Sequence, residues 1–168
     1  MAKNDKKEKA AKKVIRSSEL DPKFKYEVTS QPGGEKLKVC YACGVCTAGC
    51  PVSDVSEDFD PRKIIRMVLM GMKERVLSSD FIWYCTQCFT CSGHCPQNVK
   101  FTDIMRVLRD MAVGEGYVDS AFLQKARELD RFSQRVRYRL MKSIVAKKGE
   151  PFTLNPTDLL SKVAKELA

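Results

Sequence analysis

Apolar positions along this chain recur at helical spacing, and almost nowhere do they alternate. Ile64, Ile65, Val68, Leu69, Met72 and Val76 repeat every three or four residues, with Lys63, Arg66 and Lys73 on the other side. That pattern predicts one amphipathic helix, with Asp60 suited to its N-cap and Pro61 to its first position. A second helix is expected from Ile104, Met105, Leu108, Met111 and Ala112, with Thr102 as its cap and Gly114 or Gly116 at its exit. A third runs from about Asp119 to Lys148, with Leu129, Phe132, Val136, Leu140 and Ile144 on one face. A short fourth follows Asn155-Pro156, with Leu159, Leu160, Val163 and Leu167 as its apolar side. Lys23 to Val28 is the one weak strand candidate, so the expected fold class is mainly α.

Length and charge refine this picture. At 168 residues the chain suits one domain with tails. The net charge of +9 is unevenly spread: +5 over residues 1–38, zero over 39–100 and +4 over 101–168. Residues 1–34, Lys-rich and broken by Pro22 and Pro32-Gly33-Gly34, read as a flexible basic arm, largely extended until it meets a partner. Met1 to Lys13 holds six lysines and no apolar core, unlike a secretory signal. No run approaches the roughly 20 apolar residues that span a bilayer, so a cytoplasmic protein without a transmembrane segment is expected. A basic balance alone could suggest nucleic acid, but no reader helix or RNA-binding motif accompanies it.

The neutral middle carries all eight cysteines, as an internal repeat. Cys40-Tyr-Ala-Cys43-Gly-Val-Cys46-Thr-Ala-Gly-Cys50-Pro51 is followed by Cys85-Thr-Gln-Cys88-Phe-Thr-Cys91-Ser-Gly-His-Cys95-Pro96. In a reducing compartment such thiols bind metal or act catalytically, since disulfides rarely persist there. Three cysteines three residues apart can wrap one face of a 4Fe–4S cube. The fourth, displaced by one residue and followed by proline, must leave that turn. In two-cluster proteins of this pattern the fourth cysteine ligates the other cube. The expected cofactors are therefore two 4Fe–4S clusters: cluster I on Cys40, Cys43, Cys46 and Cys95, cluster II on Cys85, Cys88, Cys91 and Cys50. Two structural zinc sites remain the alternative, although zinc usually takes separated C-x2-C pairs. No cysteine is left over as a nucleophile, so no catalytic residue is expected.

Around these ligands, Gly44, Gly49 and Gly93 are candidates for bringing backbone N–H groups close to sulfur. Phe81, Trp83, Tyr84 and Phe89 either exclude water from cluster II or simply pack in the core. His94, the one histidine, is either a half-exposed loop residue or a proton-coupled modulator of cluster I.

Two cysteine loops carried on helices, with 34 residues between Cys50 and Cys85, resemble the α-helical ferredoxin arrangement. More specifically, residues 35–118 resemble the C subunit of heterodisulfide reductase. Carrying that resemblance are the basic N-terminus, Cys40-Tyr-Ala-Cys43-Gly-Val-Cys46 with Cys50-Pro51, the Asp60-Pro61-Arg62 helix start, Trp83-Tyr84-Cys85-Thr-Gln-Cys88-Phe-Thr-Cys91, and the Met105–Gly116 helix end. The resemblance implies an electron-transfer subunit of an oxidoreductase complex. In that family the relay runs between a flavin/iron–sulfur partner (the A subunit) and a catalytic partner with CCG motifs (the B subunit). The B subunit reduces the coenzyme M–coenzyme B heterodisulfide in methanogenesis, and a hydrogenase or formate dehydrogenase can stand beyond the complex. A free-standing iron–sulfur electron carrier, or a subunit of another sulfur-metabolising or respiratory dehydrogenase complex, is the second reading. The implied organisation is a basic arm over 1–34, a two-cluster domain over 35–118 and a C-terminal helical extension over 119–168. In that extension Arg127, Arg131 and Arg135 recur every four residues, with Arg137, Arg139 and Lys142 close by, which suggests docking on an acidic partner.

Overall fold

A computed structural model describes residues 15–146 and residue 161. Residues 1–14 of the basic arm, the Lys147-Lys148 end of the third expected helix and nearly all of the fourth lie outside the described residues. Among the described residues there is no strand, and none of the helices is long and apolar enough to cross a membrane.

The described chain opens with a 3-10 turn over Ser17–Glu19, and the first helix, α1, spans Phe24–Ser30. This corrects the weak strand and the extended reading of residues 24–30. Aromatic and β-branched residues favour strands, but Phe24 and Val28 lie four apart and both are fully buried, while Tyr26 is exposed under Lys25 and Lys38. A strand would put Phe24, Tyr26 and Val28 on one face, so tertiary burial selects the helix.

After a 3-10 turn at Leu37–Val39 come α2 (Val45–Ala48) and α3 (Pro51–Val55). Next are α4 (Pro61–Leu69) and α5 (Lys73–Leu77). Asp60 caps α4 as expected, its Oδ1 accepting from the Lys63 N–H at 3.1 Å, with Pro61 in the first turn. The single helix expected over residues 61–76 is in fact two, and Gly71 divides them. Gly71 has φ +80°, Met72 N–H reaches back to Met67 O at 3.0 Å, and Gly71 N–H donates to Val68 O at 3.0 Å. That is a Schellman ending, which favours glycine. The turn also lets Asp21 N–H donate to Gly71 O at 2.7 Å, and a Cβ on Gly71 would overlap the Asp21 carbonyl.

A 3-10 turn at Asp80–Trp83 leads to α6 (Thr90–His94), α7 (Phe101–Gly114) and α8 (Ser120–Ala146). Thr102 does not cap α7. The position before the helix is Lys100, without a side-chain cap bond, and Thr102 lies buried inside the first turn. The exit is as expected: Gly116 has φ +78° and Tyr117 N–H returns to Ala112 O at 2.9 Å. α7 supplies Ile104, Met105, Leu108 and Ala112 to a core completed by Phe24 and Val28 of α1, Ile64, Ile65 and Val68 of α4, and Val76 and Leu77 of α5. Lys73 ties three of these elements by ion pairs to Glu27 (2.7 Å) and Glu115 (2.9 Å). α2 and α6, which carry the cysteine loops, pack against each other beside α4 and α7. α8 leans on the body through its first half, where Phe122 meets Trp83 edge-on at 4.9 Å, and buries no residue fully. Of its expected apolar face, Leu129 stays 65% exposed.

Gly71→Ala and Gly116→Ala separate conformational strain from steric overlap. Both sites have positive φ, but only Gly71 faces backbone. Gly116→Ala should lose about 1 kcal/mol in denaturant unfolding and Gly71→Ala at least twice that; equal losses would contradict the role given to Asp21.

Candidate metal centre

The two cysteine loops repeat in backbone conformation as well as sequence. In each, the second cysteine is bracketed by left-handed residues: Ala42 (φ 60°) and Gly44 (φ 88°) around Cys43, Gln87 (φ 52°) and Phe89 (φ 62°) around Cys88. The third cysteine, Cys46 or Cys91, lies in a short helix, and the fourth leaves it in extended conformation, Cys50 at ψ 118° and Cys95 at ψ 116°. Glycine takes one left-handed position without strain, but Ala42, Gln87 and Phe89 each cost roughly 1–2 kcal/mol. Tertiary contacts offset this in the second loop. Gln87 is held by Asp130 Oδ2 (2.6 Å) and Arg106 Nε (2.8 Å), and Arg106 covers the Phe89 ring.

Beyond the fourth cysteine the copies diverge. Pro51 starts α3, whereas after Pro96 the chain turns at Asn98 (φ 53°) and Val99 N–H donates to Cys95 Sγ at 3.2 Å. Where α2 and α6 meet, Gly49 faces His94, its equivalent in the repeat; a Cβ there would lie 3.5 Å from Nδ1. His94 is exposed at the end of α6.

This packing creates two adjoining cavities. Cys40, Cys43, Cys46 and Cys95 line the first, and Cys50, Cys85 and Cys88 the second. Cys91 and Phe101 border both. Each fourth cysteine thus lies with the first two of the opposite loop. The empty space within the two, open solvent included, is about 360 and 280 Å³. Among the described residues no three His, Cys, Asp or Glu side chains converge on a single-ion site. Each cavity is lined by at least four cysteines, the number of thiolates that the corners of an iron–sulfur cube require. Hydroxyl groups fit the same anion: Thr102 Oγ1 lies 3.3 Å from Cys91 Sγ, Thr90 Oγ1 3.4 Å from Cys88 Sγ, and Ser92 Oγ is buried without a protein partner.

Burial sets the thiol electrostatics. It pushes Cys46 up to about 11, and Cys85 likewise to about 11 despite the opposing pull of a Gln87 backbone bond and the Arg109 charge. At Cys88 burial also pushes upward, but bonds from Thr90 and Thr86 outweigh it and hold the thiol below its usual range. Cys43 and Cys88, the second cysteines of the two copies, are the exposed ones.

The frame around the cavities corrects several expectations. Of the four aromatic residues read as either shielding the second site or packing in the core, Phe81 and Trp83 pack against the core, Trp83 on Phe122 and Arg109, while Tyr84 and Phe89 are exposed. Val52, Phe59 and Phe101 line that cavity instead, with the Phe59 and Phe101 rings edge-on at 6.4 Å. Gly44 lies against Arg62, whose side chain borders the first cavity, while Gly93 has open space around it and no close approach requires it. Thr47 donates to Asp60 Oδ1 at 2.6 Å and accepts from Arg62 N–H at 3.1 Å, which locks α2 to the start of α4. Burial raises the Asp60 carboxyl, and bonds from Thr47 and Lys63 with the Arg62 charge more than reverse this. Arg109, buried behind the second loop, is a residue that the sequence pattern does not single out. Its guanidinium is buried and bonds the carbonyls of Ile82, Trp83 and Cys85. The available signal is an arginine at the edge of α7's apolar stripe.

An all-helical frame that presents two repeated cysteine loops to two adjoining thiol-lined cavities defines the class: a two-cluster iron–sulfur protein of the α-helical ferredoxin kind. Residues 36–99 match the 4Fe-4S dicluster domain, and the chain binds two 4Fe–4S clusters. The iron-sulfur C 2 subunit of the CoB–CoM heterodisulfide reductase of Methanocaldococcus jannaschii is 39% identical over 130 residues, covering 73% of this chain and 69% of that protein. The C subunit of the H2:CoB-CoM heterodisulfide,ferredoxin reductase of Methanothermobacter thermautotrophicus is 33% identical over 108 residues, 64% of this chain and 57% of that one. The C2 subunit of the H2/formate:CoB-CoM heterodisulfide,ferredoxin reductase of Methanococcus maripaludis is 40% identical over 110 residues, 61% and 59%. The chain belongs to the family of heterodisulfide reductase C subunits.

Because ligation needs thiolate, the raised thiols of Cys46 and Cys85 make cluster assembly pH-dependent. Reconstitution with iron and sulfide, followed by visible absorption, should run faster at about pH 9 than at about pH 7; a rate independent of pH would show that these thiols do not limit assembly.

Proposed function

We propose that this chain is the electron-relaying iron–sulfur subunit of a heterodisulfide-reductase-type complex. It passes electrons between a flavin/iron–sulfur partner, the A subunit, and a CCG-motif partner, the B subunit, where the coenzyme M–coenzyme B heterodisulfide is reduced. Cys40, Cys43, Cys46 and Cys95 hold one cluster, and Cys85, Cys88, Cys91 and Cys50 hold the other. When bound, such clusters take up and return electrons at potentials tuned by burial, charge and hydrogen bonds to sulfur.

The observation that carries this reading is the pair of adjoining cavities with a common border at Cys91 and Phe101. All eight thiols are used as ligands, so none remains for thiol–disulfide exchange, and the disulfide chemistry belongs to a partner. The protein's own groups hold the two centres side by side, seat Phe101 against both and bring one cysteine of each centre, Cys43 and Cys88, to the surface. Exposed Val39, Tyr41 and Val45 flank Cys43, and exposed Tyr84 and Phe89 flank Cys88. Apolar side chains beside exposed redox ligands suit protein contacts, one partner for each centre. The domain over 35–118 carries the centres, and the extension from residue 119 docks through α8. That role is supported by exposed Leu129, Tyr138 and Met141 beside Arg131 and Arg135. Of the expected arm over 1–34, Phe24–Ser30 belong to the frame through α1, and the complex is cytoplasmic. The relatives' names, which pair a C subunit with action on the CoB–CoM heterodisulfide, support the complex and its substrate.

Anaerobic purification should give about eight irons per chain with broad absorption in the visible. Cys95→Ser should disturb the same EPR signal as Cys43→Ser, and Cys50→Ser the same signal as Cys88→Ser. If Cys95→Ser instead follows Cys88→Ser, the ligand assignment falls. The isolated chain should not reduce the heterodisulfide with a reduced dye until the CCG-motif partner is added; turnover by this chain alone would overturn the relay.

A further inference from the structure

Among the described residues Arg109 is the one charged side chain buried in the core. Burying a cation is costly unless it is paired and hydrogen-bonded, and here the polar contacts lead to the 3-10 turn that enters the second cysteine loop, to Cys85 of that loop and to α8. Nε donates to Ile82 O (2.8 Å), and Nη2 donates to Trp83 O (3.1 Å) and Cys85 O (2.8 Å). Nη1 lies 3.5 Å from Asp130 Oδ2 on α8, and the guanidinium lies 5.5 Å from the centre of the Trp83 ring. Asp130 Oδ2 also accepts from Gln87 Nε2 at 2.6 Å. Gln87 is the left-handed residue between Cys85 and Cys88, so one carboxylate on α8 holds both the buried cation and the bend of the loop. The first loop has a different support: Arg62, bordering that cavity, is exposed on its helix and screened by water.

We propose that Arg109 and Asp130 are positioning residues for the centre at Cys85, Cys88, Cys91 and Cys50: they fix its loop, set the electrostatic potential it experiences, and couple it to α8. The two centres are thereby made unequal. The one beside buried Arg109 gains positive potential in a low-dielectric setting, where a charge acts more strongly than at the surface. Asp130, more exposed than Arg109, offsets part of it. Since Asp130 is on the helix with the exposed apolar face, a partner that shifts α8 would change that offset. This inference rests on the cysteine assignment above and adds an inequality between the two centres that the assignment does not contain.

The test is an EPR-monitored redox titration of the reconstituted full chain. Asp130→Asn should raise the midpoint potential of the centre whose signal Cys88→Ser disturbs and leave the other midpoint in place. Arg109→Gln should lower the same midpoint, and Arg109→Lys should recover part of that shift. A merely structural role would reduce iron content or stability without selectively moving a midpoint. Should Arg109→Gln fail to assemble, the milder Asp130→Asn still decides. If Asp130→Asn moves neither midpoint, or both equally, the proposal is overturned. Wild-type protein holding about four irons, by contrast, would bring down the two-cluster reading beneath it before any variant is made.

Discussion

Each fourth cysteine leaves the short helix of its own loop and joins the cavity of the other loop. Much of the molecule follows from that exchange. Cys95 can border the cavity of Cys40, Cys43 and Cys46 only if α2 and α6 lie in contact, and the same contact brings Cys50 to Cys85 and Cys88. At the seam Gly49 stands opposite His94, its equivalent in the repeat, at a distance where a Cβ would make ordinary contact. Proline after each fourth cysteine prevents either helix from simply continuing. The cavities then adjoin because one cysteine, Cys91, belongs to the border of both.

Two loops with several non-glycine residues in left-handed conformation would not hold their shape alone. The strain is carried by a frame of α1, α4, α5 and α7, whose aliphatic core fixes where α2 and α6 begin and end. The supports are specific to each loop. Thr47, Asp60 and Arg62 tie the first to α4, while Arg109, Asp130 and Gln87 tie the second to α7 and α8. Both networks are part-buried, but the arginine of the first, Arg62, is exposed and that of the second, Arg109, is buried. Two motifs of identical cysteine spacing thereby acquire different surroundings.

The chemistry is far more legible in the sequence than the packing. Eight cysteines in two copies of one spacing state the cofactor type, and the Asp60-Pro61 pair marks the start of α4, because both are local signals. Gly71 is also a local signal, but it sits inside an otherwise regular apolar repeat, and only the approach of Asp21 shows why the helix must stop there. Phe24–Ser30 misleads because its composition favours a strand while burial of Phe24 and Val28 imposes a helix. Thr102 looks like a cap and instead turns its hydroxyl towards Cys91. Arg109, Phe59 and Phe101 take their roles from contacts distant in sequence, and periodicity carries no such information. The apolar face of α8 can be placed on the right helix from its spacing, but the exposure of Leu129 and Phe132 among the described residues is visible only in three dimensions.

The central claim is that the two clusters lie side by side with a common protein border. The EPR spectrum of the fully reduced, two-cluster protein tests it most directly, because unpaired spins at adjoining sites interact magnetically. The structure predicts a spectrum broadened and split relative to those of singly reduced protein. A spectrum equal to the plain sum of two independent signals, at full reduction and full iron content, would contradict it.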